Sequence, residues 1–254
     1  MLDKDKDQIS RETKALCHYF STDRRVHFEG DAEGVLYVRD MINEGEYHQF
    51  EYPDMYFQRG NKVLLCEHFE FDSYKRTNKG SISHQEEARI DREIQMIIDA
   101  GVETTFRKII NGRKSLRDYR KNVECSFQQH YAQLDGYKQK ITEKIGIPAN
   151  ELEIHTMFFI EETTALGTML FDKDNNMTQV LLDKYVPFLM FLKDKVKLDF
   201  VMTTTRRSPD YISIIDLRNI DEYIKNAIDY ASMRYIEMDE NIIGGVINVP
   251  VKEQ

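Results

Sequence analysis

The sequence predicts an α/β protein in which a mixed central sheet is flanked by helices. Three observations predict it. Residues 62–71, KVLLCEHFEF, form an apolar and aromatic run bounded by turn residues, the pattern of a buried strand. Similar runs recur at 152–160 (LEIHTMFFI), 196–204, 211–215 and 242–249. Between them lie stretches whose apolar residues return every three or four positions, the period of an amphipathic helix. The 254 residues suffice to bury a sizeable core as one domain.

Taken in order, residues 7–20 read as a helix with Ile9, Leu16, Tyr19 and Phe20 as its contacts. Gly30 and Gly34 punctuate the next stretch, and 35–38 (VLYV) fits a helix turn or a strand. Residues 46–52 open a meander whose next two strands carry Asp54 and Glu67. Ser83 and Glu86 make a capping box for a helix with Ala88, Ile90, Ile94, Ile97 and Ile98, ended at Gly101. Residues 101–146 read as a helical insertion divided at Gly112. From Val123 the stripe Phe127, Tyr131, Leu134, Tyr137, Ile141 and Ile145 gives one long helix, stopped near Gly146 and Pro148. Beyond the 152–160 strand, 167–171 is a pairing partner for it and 178–193 an amphipathic helix. The strands 196–204 and 211–215, a helix at 220–235 and a strand at 242–249 close the chain. Asp172, Asp174 and Asn176 begin like a calcium loop, but Met177 stands where that loop needs glycine.

The stretch with most chemistry is 53–75, PDMYFQRGNKVLLCEHFEFDSYK. Gly60-Asn61 supplies a turn between two extended segments, so Asp54 and Glu67 fall on adjacent strands. On the second strand, alternation puts Val63, Leu65, Glu67 and Phe69 on one face and Leu64, Cys66, His68 and Glu70 on the other. A carboxylate inside such a strand is costly unless something pairs with it. Asp54, Glu67, Glu70 and Asp72 gathered at one hairpin repel one another unless solvated or bridged by a cation. Oxygen ligands of this kind suit Mg²⁺ or Mn²⁺.

Those residues resemble the PD-(D/E)XK nuclease superfamily, the restriction-endonuclease-like fold. Pro53-Asp54 stands where that family has its PD, and Glu67, after twelve intervening residues, where it has its acid. Phe69 occupies the position of the family's lysine, so Lys75 would be a displaced lysine. The resemblance implies Asp54, Glu67 and Lys75 as catalytic residues, with Asp54, Glu67 and, in reserve, Glu70 holding Mg²⁺ or Mn²⁺. It implies a further acid on the helix before the sheet, for which Glu12 is the candidate, and a helix directly after the acidic strand. The activity implied is phosphodiester hydrolysis by a Mg²⁺-dependent endonuclease. The implied partner is nucleic acid, DNA before RNA, with a second copy of the chain as a further candidate. A catalytically inactive nuclease-like interaction module is the alternative, motivated by the missing lysine. The same residues also fit a purely structural reading, with Glu67, Glu70 and Asp72 as edge-strand charges and Lys75 and Arg76 neutralising them in solvent.

Composition narrows the rest. A hydrophobic fraction of 41% and an aromatic fraction of 11% describe a folded chain. No apolar run approaches a membrane span, and the charged start MLDKDKDQIS shows no secretory signal. Cys17, Cys66 and Cys125 lie far apart, which is neither a disulfide framework nor a zinc pattern and fits a cytoplasmic protein. The net charge of −9 argues against a broadly basic nucleic-acid surface, yet residues 107–121 carry seven basic residues against one acid. That run is either a phosphate contact or the wet face of a helix, and the same choice applies to Arg206-Arg207 in the loop 204–210.

Overall fold

A computed structural model describes residues 27–30, 32–50, 53–72, 76–77, 80–100, 104–112, 116–148, 150–163, 169–171, 177–205, 208–234 and 243–251. Its first half runs β1 (His27–Gly30), α1 (Ala32–Glu44), β2 (Glu46–Gln49), β3 (Met55–Arg59) and β4 (Lys62–Phe71). There follow β5 (Arg76–Thr77), β6 (Gly80–Ser81), α2 (Ile82–Asp99), β7 (Thr104–Gly112), α3 (Leu116–Tyr131) and α4 (Leu134–Ile145). The second half holds β8 (Glu153–Glu162), β9 (Met169–Phe171), β10 (Met177–Gln179), α5 (Val186–Leu192) and β11 (Phe200–Thr205). It ends with β12 (Ser208–Asp216), α6 (Ile220–Arg234) and β13 (Ile243–Val251).

The fold is α/β, with a seven-stranded mixed sheet in the order β1-β12-β11-β8-β4-β3-β2. β2, β3 and β4 form the expected antiparallel meander. β8 lies parallel to β4, and β11 parallel to β8. Parallel neighbours need a long crossover, which the segment carrying α2, α3 and α4 supplies between β4 and β8. Such strands are covered on both faces, and β4 accordingly has apolar side chains pointing both ways. On one side Val63, Leu65, Phe69 and Phe71 pack with Tyr119, Val123 and Phe127 of α3, Leu134, Tyr137 and Ile141 of α4, and residues of α5 and α6. On the other side Leu64 and Cys66 pack with Met157, Phe159 and Phe200 and, among the described helices, with Val35, Val38 and Met41 of α1. The alternation read from the sequence therefore separates a thick helical layer from a thin one.

Glycine sets two of the boundaries. The amide of Gly45 bonds the Met41 carbonyl at 3.1 Å, and a Cβ there would lie 2.3 Å from that oxygen, so only glycine lets the chain leave α1 directly into β2. Gly146 ends α4 in the left-handed region (φ 70°), its amide returning to the Thr142 carbonyl.

Several elements differ from expectation. The chain after Gly101 is not helical throughout: β7 pairs antiparallel with β13, and its β-branched and aromatic residues Thr104, Thr105, Phe106, Ile109 and Ile110 suit a strand. The stripe from Val123 is broken at Ala132 and Gln133, giving α3 and α4 instead of one helix. Residues 178–193 form β10, a 3-10 turn at Leu182–Lys184 and the short α5, because Pro187 sits at the start of the helix, where a missing amide costs nothing. β9 pairs with β10, not with β8. Residues 35–38 are helical, and Ser83 lies one residue inside α2. The helix expected at 7–20 lies outside the described residues. No helix among the described residues is long and apolar enough to cross a membrane.

Candidate functional site

Met55 pairs with Cys66 in the β3–β4 ladder, so the next position brings Asp54 opposite Glu67. The two residues clasp each other's strands. The Asp54 amide donates to Glu67 Oε2 at 3.3 Å, and the His68 amide donates to Asp54 Oδ2 at 2.7 Å. β3 begins only at Met55, so the Asp54 carboxylate serves the His68 amide that no β3 carbonyl meets.

Glu67 is 6% exposed and turned into the thick layer. Its Oε1 lies 2.6 Å from His130 Nδ1 near the end of α3 and accepts the Tyr137 hydroxyl of α4 at 3.0 Å. The His130 ring is itself fixed by stacking on Phe69, 4.7 Å between centroids and 7° from parallel. Tyr137 Oη is also 3.0 Å from Gln133 Oε1, but its single proton serves one acceptor at a time, and a carboxylate is the stronger one. A buried acid is thus compensated by two neutral or cationic donors. One of its oxygens is anchored by these partners, while the other faces the Asp54 backbone. Cys66, next to Glu67 on the strand but on the α1 face, is chemically quiet: burial, then the neighbouring Asp54 and Glu67 charges, push its thiol pKa well up. A cavity of about 120 Å³ opens farther along, where β4 ends, lined by Phe71, Asp72, Asn122, Cys125, Ser126 and Gln129.

The opposite face of β4 carries a second group. Glu70 is in register with Glu161 of the parallel strand β8, at the carboxyl ends of both strands. One ligating atom each from His68, Glu70 and Glu161 falls within 4.8 Å of the others, and this is the one such trio of His, Cys or acid ligands among the described residues. His68 Nε2 is 3.4 Å from Glu161 Oε2, and the ring lies 4.6 Å from the Phe159 ring beneath it.

The structure therefore brings Asp54 and Glu67 together and places Glu70, grouped with them from sequence, on the far side of the sheet. Lys75, Glu12, Arg206 and Arg207 lie outside the described residues. Of the basic run, Arg107 and Lys108 are on β7, while Arg120 on α3 is paired with Glu124 at 2.6 Å. His130 and Tyr137 escape sequence reasoning because Tyr137 belongs to an apolar stripe and nothing local links either to Glu67. The shared face of His68 and Glu70 on one strand is readable from sequence; their meeting with Glu161 needs the β4–β8 register. Two carboxylates from adjacent strands fit Mg²⁺ or Mn²⁺, ions that accept one or two protein acids and complete their shell with water and phosphate oxygens. No known protein family matches the chain, and neither a curated protein nor a solved structure does.

Proposed function

We propose that the protein is a divalent-metal-dependent hydrolase of phosphodiester bonds, acting on DNA in the cytoplasm, with Asp54 and Glu67 as the residues that hold Mg²⁺ or Mn²⁺. The observation that carries this reading is the clasp of Asp54 and Glu67 across β3 and β4. Support comes also from the meander β2-β3-β4, whereas the helix implied directly after the acidic strand comes only after the short strands β5 and β6. Bound there, the ion would supply charge stabilisation at the phosphate and help ionise a water. This chain's own part is orientation. His130 and Tyr137 hold Glu67 Oε1, which fixes the rotamer that presents Oε2 toward Asp54. Lys75 would steady negative charge on the phosphate. A second copy of the chain would let two such sites address both DNA strands.

The test is relaxation of supercoiled plasmid with Mg²⁺ or Mn²⁺. Wild type cleaves, and Asp54→Ala loses at least about 100-fold, the upper range for disturbed metal sites. Equal cleavage by both proteins defeats the assignment.

A second reading, an inactive interaction module, draws on one observation. Phe69, in the position of the lysine, is buried and stacked on His130, so the site is closed by packing where a catalytic cation would stand. Absence of both Mg²⁺ binding and cleavage in wild type selects that reading.

A further inference from the structure

We propose that His68, Glu70 and Glu161 form a binding site for a transition-metal ion of the zinc class, separate from the Asp54–Glu67 pair. The convergence of three ligand atoms within 4.8 Å is the first observation. The second is independent of the acids. His68 is more than nine-tenths buried, and its Nε2 has no hydrogen-bond partner although it is aimed at Glu161 from 3.4 Å. A buried imidazole nitrogen without a hydrogen bond is costly unless it meets another ligand, and a cation is the ligand that two neighbouring carboxylates select.

The sheet preorganises the trio. Glu70 and Glu161 are held side by side by the parallel β4–β8 register. His68 is two residues before Glu70 on the same strand, so all three side chains share the α1 face. Packing on Phe159 limits the swing of the imidazole.

Donor chemistry then chooses the ion. One imidazole nitrogen with two carboxylates is a borderline set that suits Zn²⁺ and its neighbours, whereas Mg²⁺ and Ca²⁺ prefer oxygen alone. Three protein ligands leave a coordination position for water or a ligand oxygen, as zinc sites of the reactive kind do. The site stands on the opposite face from Glu67 and does not depend on the hydrolase reading.

The experiment adds Co²⁺ alone, then Zn²⁺ alone, to the metal-free full chain and follows visible cobalt absorption and its displacement. Wild type is expected to bind one ion, with Zn²⁺ displacing Co²⁺. His68→Gln and Glu161→Gln are each expected to weaken binding at least about tenfold. Should His68→Gln fail to fold, Glu161→Gln, which keeps side-chain shape at a partly exposed position, carries the comparison. No cobalt absorption in wild type, or unchanged affinity in a folded variant, overturns the proposal. Plasmid cleavage in Mg²⁺ without Zn²⁺ reads the other site, so the two proposals fail separately.

Discussion

The two faces of strand β4 handle buried charge in opposite ways. Toward α3 and α4, Glu67 is enclosed and its Oε1 is met by His130 and Tyr137. Toward α1, His68, Glu70 and Glu161 gather at the carboxyl ends of β4 and β8, and the His68 Nε2 carries no hydrogen bond. The difference comes from the layers. The thick side offers helices that can send polar side chains down to the sheet, while on the other side, among the described residues, α1 covers the centre with Val35, Val38 and Met41. On the first face protein donors fix the carboxylate in place; on the second, three ligand atoms converge within 4.8 Å.

The largest effect expected from breaking this contrast is at Glu67. Glu67→Ala removes the shared acceptor of two side chains and one amide, and unfolding free energy in urea should fall by about 2–3 kcal/mol, the range for hydrogen bonds to a charged group. Glu70→Ala, on the thin side and partly exposed, should cost no more than about 0.5 kcal/mol in metal-free buffer. Comparable losses at both positions would erase the distinction. Next comes Tyr137→Phe, which deletes one donor to Glu67 and keeps the ring in the core. A loss of about 1.5 kcal/mol is expected, with reduced Mg²⁺-dependent cleavage through misorientation of the carboxylate.

A smaller effect is expected at the amino end of β8, also on the α1 face. His155 Nδ1 lies 3.4 Å from Asp199 and Nε2 lies 3.1 Å from Glu153. The Asp199 carboxylate beside the ring is the main cause of a raised His155 pKa, with burial opposing it and Glu153 adding to it. A raised folded-state pKa means that the stabilisation is complete below the unfolded value of about 6.5 and is lost as pH climbs through the folded value. Stability of wild type to urea should therefore weaken as pH rises above about 6.5, and His155→Gln should flatten that decline. An unchanged slope in the variant would remove His155 from the account. The smallest change is expected on the outer side of the thick layer. Lys121 is exposed on α3, so Lys121→Ala should leave stability within about 0.5 kcal/mol. It tests DNA contact through a shallower salt dependence of plasmid binding.

Much of this is legible in the sequence because it is local. The Gly60-Asn61 turn and the position of Asp54 and Glu67 around it are enough to align the two acids, and β4 alternates as its residues suggest. The hairpin of β11 and β12 and the helix α6 are readable for the same reason. Elements whose state depends on distant chain are not. β7 owes its conformation to β13, more than a hundred residues later, so its basic residues look like the start of a helix. His130 and Tyr137 meet Glu67 only because α3 and α4 fold back over β4, and Glu70 finds Glu161 only through a parallel register that no short-range pattern encodes. The apolar periodicity of 123–145 continues through Ala132 and Gln133, so the break between the helices carries no signature in that stripe.

The most direct test of the central claim, that Asp54 and Glu67 together hold a catalytic cation, is calorimetric titration of the full chain with Mg²⁺. Expected is a single binding event in wild type that disappears in Asp54→Ala while circular dichroism stays native. Binding that persists unchanged in that variant, or no binding in wild type, would contradict it.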